Sequence, residues 1–296
     1  MKLAVFNDFR IGVVAGHVLR DVTGVLPSEL NLVPAQRMNW LIAHWTDYEA
    51  PIRDRGADDS VMASAIDDVT LLAPVPAPPH IFAAPANYRK HLHELGARSV
   101  SKGRTAREQG FFLKAPGSII GPGARIELPR NSLRRFDHES ELAVIVGQGG
   151  RNIHRDDAMK HVFGYSCLID GTMRIEPGSG EEERTMRKSF ASFTPLGPYL
   201  VTADEVPEPH ALRNRLSVNG EVRQDANTAD MIVGIAELIE LVSSVLPLSP
   251  GDVIATGTPE GVGPLTVGDE VSIEIDRIGQ MSLRVHSADV VSPRPF

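Results

Sequence analysis

Pro74, Pro76, Pro78 and Pro79 crowd into the run Leu72–His80. Proline fixes φ and removes a backbone donor, so this run suits neither a helix interior nor a central strand and reads as a linker. The chain of 296 residues is also longer than one core usually needs. Together these divide it into a small N-terminal domain at residues 1–71, the linker at 72–80, and a larger domain at 81–296.

The N-terminal region opens with short strand candidates at Leu3–Phe6, Ile11–Val14 and Val18–Leu19, separated by polar or glycine-containing turns. Pro34 suits a first helical turn, and Met38, Leu41, Ile42 and Trp45 recur at helical spacing before the charged stretch Arg53–Asp59, so one helix is expected on that sheet. Beyond the linker the strand candidates are Phe111–Leu113, Leu142–Val146, Tyr165–Asp170, Tyr199–Thr202, Leu216–Val218, Val253–Thr256 and Val271–Asp276, with a terminal hairpin to Met281–Val285. A helix is expected from Asp156 or Asp157 to about Gly164. Another is marked by Ile235, Leu238, Ile239, Val242, Val245 and Leu246 at i, i+3, i+4 spacing. The fold class is therefore α+β, mainly β.

A formal charge of −8 disfavours a nucleic-acid partner, because an acidic surface repels phosphates. Apolar stretches fall short of the roughly 18 to 20 residues that cross a bilayer, and the amino terminus lacks the long apolar centre of a signal peptide. With Cys167 as its single cysteine the chain forms no internal disulfide or thiolate zinc cage. A cytoplasmic protein without a membrane partner is expected.

The chemistry gathers in a few places. Glu139 and Glu141 precede an uninterrupted apolar strand, and two-residue spacing puts them on one face with α-carbons about 6.5 Å apart. Asp170 ends another apolar run, where a carboxylate is costly to place near a core. Three such oxygens suit Mg2+ or Mn2+. In Asn87-Tyr-Arg-Lys-His-Leu-His-Glu94, one helical turn would bring His91 and Glu94 together, and a carboxylate that orients imidazole gives a general base. His93 is a competing base that faces away from Glu94, and His138 alternates to the opposite strand face and reads as a packing or surface residue. The Glu181–Glu183 cluster reads as a solvated loop, and Gly147-Gln-Gly-Gly150 as a turn without the context of a nucleotide fingerprint.

The order of these motifs resembles the fumarylacetoacetate hydrolase family from Asn87 to about Arg284. They are Asn87-Tyr-x-x-His-x-x-Glu94, Phe112-Leu-Lys-x-Pro-x-Ser-x-Ile-Gly121, Glu139-x-Glu141, Asp170, Lys188-Ser-Phe, Pro195-Leu-Gly-Pro198, Asn219-Gly-Glu-Val-Arg-Gln224 and Thr256-Gly-Thr-Pro259. The resemblance implies a mixed β-sheet roll with flanking helices, a homodimer, and Mg2+ or Mn2+ on Glu139, Glu141 and Asp170. It also implies that His91 and Glu94 activate water, that Lys188 stabilises developing charge, and that Arg174 and Thr256 bind substrate. The chain departs from the family's pattern after Asp170, where Gly171-Thr-Met-Arg-Ile175 replaces the more common Val-Ser-Ala-Arg-Asp, and an unusual stretch runs from Glu176 to Arg187.

The function so implied is hydrolysis of a carbon–carbon bond in an acylpyruvate-like or related dioxo-acid, as in the catabolism of aromatic or carboxylic acids. The same site would also support decarboxylation, isomerisation or hydration. A binding protein without turnover is the reading from a different class, and the His91–Glu94 pair argues against it, since binding alone requires no base. The polar segment Leu92–Gln109 is expected to close as a lid.

Overall fold

A computed structural model of the protein describes residues 1–95, 103–175 and 183–291. Strands in mixed sheets dominate, with a few helices. The largest sheet has twelve strands, and its middle runs Lys2–Phe6, Thr194–Thr202, Val162–Ile169, Ser140–Val146, Val253–Ala255 and Ile81–Ala83. A five-stranded sheet contains Arg213–Val218, Glu270–Ile275 and the hairpin partner Gly279–Ser287. A small third sheet joins Thr172–Met173, Phe136–His138 and Gly263–Pro264.

The strand Ser140–Val146 shows why the sequence there is apolar without alternation. Leu142, Val144 and Val146 face one core with Ile254, Leu216 and Ile273, whereas Ala143 and Ile145 face another with Leu3, Leu168 and Leu200. Both sides of the strand are buried, so both sets of side chains are hydrophobic. The helix Ile235–Val245 covers the first face and buries Ile235, Leu238, Ile239 and Val242.

Two helical expectations are corrected. Between Asp156 and Gly164 there is only a 3-10 turn, Ala158–His161, and Gly164 lies inside the strand Val162–Ile169. Pairing of this β-branched and aromatic run with Ser140–Val146 overrides the local helix signals at its start. Near the amino terminus a pair of helices forms rather than one, Arg37–Ala43 and Trp45–Ala57, and the latter carries Pro51 and continues through the charged stretch to Ala57. Arg53 supports that continuation through an i, i+4 pair with Glu49.

The residues before the proline run share a sheet with those after it. Lys2 and Leu3 pair with Val201 and Leu200, and the Met1 amino group donates to Thr202 Oγ1 at 2.6 Å. Helices Arg37–Ala43 and Trp45–Ala57 pack Met38, Leu41, Ile42 and Ile52 into the core that also holds Ala143 and Leu168.

The antiparallel register fixes where chemistry can sit. Ser140 pairs with Ile169 and Glu141 with Leu168, so the start of one strand and the end of its neighbour lie at the same sheet margin. Val253–Ala255 runs antiparallel to Ser140–Val146 and parallel to Ile81–Ala83, which delivers the segments after Ala255 and after Ala83 to that margin as well.

Because Leu3 is fully buried in the shared core, Leu3→Ala is expected to cost about 2–5 kcal/mol in a single cooperative urea transition. A separate early transition of the first 71 residues, with the remainder unaffected, would contradict the shared core.

Candidate active site

Glu139 sits at a switch between sheets, after Phe136–His138 and before Ser140–Val146. Its carbonyl accepts from the Asp170 N–H at 2.8 Å, which ties the two acids together through the backbone. Glu139, Glu141 and Asp170 are all buried, and one carboxylate oxygen from each lies within 4.8 Å of the others. Donors held about 2.1 Å from one ion are at most about 4.2 Å apart, so a small side-chain adjustment lets all three share a hard cation.

The electrostatics of the three acids differ. Burial pushes Glu141 well above the usual carboxylate range, and the charges of Asp170 and Glu139 add to that push. Burial acts on Glu139 in the same direction, but Lys188 and Arg174 outweigh it and hold Glu139 below the usual range. The residual repulsion centres on Glu141, and a divalent cation is the group whose charge and oxygen preference relieve it. The donor set therefore fits Mg2+ or Mn2+.

Glu141 Oε2 accepts from the Gly257 N–H at 2.7 Å. Gly257 has φ +95°, and a Cβ there would lie 2.6 Å from the Asn87 Cβ, so glycine is required on both counts. Asn87 locks this corner, donating to the carbonyls of Thr256 and Val233 and accepting from the Val233 N–H.

In the same cavity as the acids, His91 and Glu94 share the helix Arg89–Leu95, with His91 Nδ1 2.9 Å from Glu94 Oε2. The other Glu94 oxygen accepts from the Gly261 N–H at 3.0 Å. Burial works to raise the Glu94 pKa, but the bonds from His91 and Gly261 prevail and keep it below the usual value. His91 is 4% exposed, while His93 is exposed. His138 is buried with Nδ1 near Gln224 Oε1, consistent with a packing role.

Lys188 places Nζ 2.8 Å from Glu139 Oε2, 2.5 Å from Asp170 Oδ2 and 2.8 Å from Thr172 Oγ1. All three donors are thus engaged, and stabilising charge on a substrate requires one of them to be released. Arg174 donates to Asp137 Oδ2 and Glu139 Oε1, which makes it an orienting partner of Glu139 at the cavity wall. Burial disfavours its charge, but Glu139 and Asp137 reverse that and hold the guanidinium more firmly protonated than usual.

Thr256, expected at the substrate, is placed elsewhere. Its hydroxyl donates to the Leu142 carbonyl at 2.9 Å in the fully buried interior, so it pins the strand, and Thr258 lines the cavity instead. Lys114 was not singled out by its position in the sequence. It is buried, contacts Asp170 Oδ1, and donates to the carbonyls of Lys188 and Phe193. Burial lowers its pKa against the pull of Asp170. A lysine ending the apolar run Phe111–Leu113 was the available signal. Asp137, held by Arg135 and Arg174, is a second addition.

The three acids, His91, Glu94, Lys188, Arg174, Asp137 and Thr258 line one cavity of about 530 Å³, with Lys114 and Thr256 buried outside its lining. The lid expected over Leu92–Gln109 lies partly outside the described residues, as do Glu181 and Glu182, while Glu183 accepts from the Thr185 N–H at the start of the helix Arg184–Lys188.

A mixed-sheet fold with a buried acidic triad and a carboxylate-steered imidazole in one cavity defines a small-molecule enzyme site. The family model for the fumarylacetoacetate (FAA) hydrolase C-terminal domain matches residues 80–286. The chain belongs to the fumarylacetoacetate hydrolase family. It is 45% identical to maleylpyruvate hydrolase of Aquipseudomonas alcaligenes, over 97% of this chain and 100% of that protein. Its structure is similar to that of maleylpyruvate hydrolase from Sphingobium sp. SYK-6 in complex with manganese(II) and pyruvate, with TM-score 0.85, 38% identity, and coverage of 98% of this chain and 100% of that one. It is also similar to 2-hydroxyhepta-2,4-diene-1,7-dioate isomerase from Mycobacterium marinum, with TM-score 0.72, 28% identity, and coverage of 98% and 100%. No helix among the described residues is long and apolar enough to cross a membrane.

Glu141→Ala is expected to weaken Mn2+ binding on the order of 100-fold or more in isothermal titration calorimetry. An unchanged affinity would remove Glu141 from the metal site.

Proposed function

We propose that this protein is a divalent-metal-dependent hydrolase that cleaves a carbon–carbon bond in an acylpyruvate of the maleylpyruvate type. The observation that carries the reading is the meeting of Glu139, Glu141 and Asp170 with the His91–Glu94 pair in one cavity. The similarity to two maleylpyruvate hydrolases, one of them holding manganese(II) and pyruvate, supports it.

Glu139, Glu141 and Asp170 would hold the ion. When bound, Mg2+ or Mn2+ supplies a chelating centre and Lewis acidity for the oxo-acid end of the substrate. Glu94 holds the His91 Nδ1 side, leaving Nε2 to take a proton from water. The resulting hydroxide adds to the acyl carbonyl, and the bond between that carbon and the pyruvate methylene breaks. The electron pair stays on the methylene carbon as an enolate, and the proton on His91 is available to quench it. Acylpyruvate and water thus give pyruvate and a carboxylic acid. Lys188 and Arg174, anchored on Glu139, keep that carboxylate ionised and oriented, and a donor released from Lys188 would stabilise the oxyanion.

A second reading, isomerisation of a related diene-dioate, is favoured by the similarity to the isomerase from Mycobacterium marinum. Both reactions need a stabilised enolate, but only hydrolysis needs a base directed at water. The proposal extends to a homodimer in the cytoplasm, a compartment compatible with the buried, unpaired thiol of Cys167.

The protein loaded with Mn2+ is expected to convert acylpyruvates to equimolar pyruvate and acyl acid, identified by mass spectrometry. Carbon dioxide from oxaloacetate, or an isomer of the substrate, without any cleaved acid would reject hydrolysis. His91→Asn is expected to lower kcat by about 100- to 10,000-fold with Mn2+ affinity retained. Full turnover in that variant would remove His91 as the base.

A further inference from the structure

The cavity wall carries more positive charge than the acidic triad explains. Arg134, Arg135, Arg174, Arg184 and Arg187 all line it. Arg135 is committed to both oxygens of Asp137, and Arg174 to Asp137 and Glu139. Arg134 donates to the Arg174 carbonyl and Arg187 to the Met173 carbonyl, so both brace the backbone of the wall.

Arg184 differs from these. Its NH2 donates to the amide oxygen of Gln109 at 3.1 Å, and its guanidinium lies 5.3 Å from the centre of the Phe112 ring. Among the described residues it forms no ion pair with a carboxylate. The acid beside it in sequence, Glu183, accepts instead from the Thr185 N–H. A half-buried guanidinium whose partners among the described residues are a neutral amide and an aromatic face retains capacity for an anion, and its planar fork matches a carboxylate.

Its position along the cavity follows from the helix Arg184–Lys188. Arg184 and Lys188 stand at i, i+4 and share a face, and both cationic groups lie 5.3 Å from the same Phe112 ring. Lys188 marks the acidic end through its contacts with Glu139 and Asp170. The start of the helix is displaced from that end by about one turn, roughly 6 Å of rise. From a substrate gripped by its oxo-acid end at the triad, an acyl arm running along the Phe112 face would end at the Arg184 guanidinium.

We propose that Arg184 is a specificity-determining residue that binds the terminal carboxylate of a diacid substrate, selecting acylpyruvates whose acyl arm ends in an anion over those that end in a methyl group. This rests on the acylpyruvate reading and assigns the far end of the same cavity. It also gives a function to the helix that follows the atypical stretch after Asp170.

The test compares kcat/KM of the Mn2+-loaded full chain for two acylpyruvates of equal arm length, one ending in carboxylate and one in methyl. The unsubstituted protein is expected to prefer the carboxylate-ended compound. In Arg184→Met the ratio of the two kcat/KM values is expected to fall on the order of 100-fold, mainly through KM of the diacid, with partial recovery in Arg184→Lys. Calorimetric Mn2+ affinity checks that each variant retains the folded metal site. If the unsubstituted protein cleaves acylpyruvates but the ratio is unchanged in both variants, or both substrates lose equally, the assignment of Arg184 is overturned while the hydrolase reading stands. If the unsubstituted protein cleaves neither compound, the hydrolase reading falls and this inference falls with it.

Discussion

Three carboxylates held within 4.8 Å of one another in a buried setting repel one another, and the surrounding structure is arranged to hold them there. Desolvation alone would favour the neutral forms of Glu139 and Glu141. Two lysines and an arginine oppose that tendency at close range: Lys114 on Asp170, Lys188 on Glu139 and Asp170, and Arg174 on Glu139. The compensation is uneven. Glu141 receives a backbone N–H from Gly257 where Glu139 receives cations, and its pKa rises while that of Glu139 falls. The cluster is thus incompletely stabilised and still favours a further positive charge.

The fold meets this constraint with strand register rather than with a flexible loop. Glu141 and Asp170 come from adjacent antiparallel strands whose bodies are buried on both faces, so their backbones have little freedom. The parallel pair Val253–Ala255 and Ile81–Ala83 then brings the Gly257 corner and the His91 helix to the same margin, where Asn87 locks one to the other. Acid cluster and imidazole are fixed by one sheet, which favours a constant geometry between them.

Much of this was legible because strand alternation and residue spacing are local properties. Glu139 and Glu141 at i, i+2 and His91 and Glu94 at i, i+3 needed only the periods of a strand and a helix, and the hairpin Glu270–Ile275 to Gly279–Ser287 announced itself by alternation. What escaped depended on long-range partners. The run after Asp157 carries helix-start signals, but its later residues are claimed by the central sheet. Lys114 reads as an ordinary strand-end lysine until the fold carries it beneath Asp170, 56 positions away. Thr256 and Thr258 are indistinguishable in a Thr-Gly-Thr-Pro turn, and only their long-range partners, the Leu142 carbonyl for Thr256 and Gln224 for Thr258, tell the buried pin from the cavity-lining residue.

The central claim is that the three acids share one oxygen-loving ion. Anomalous diffraction from crystals of the full chain grown with Mn2+ tests it most directly. The account predicts a single manganese peak with one oxygen each from Glu139, Glu141 and Asp170 at about 2 Å. A peak held by other side chains, or no peak between these three at saturating Mn2+, would contradict it.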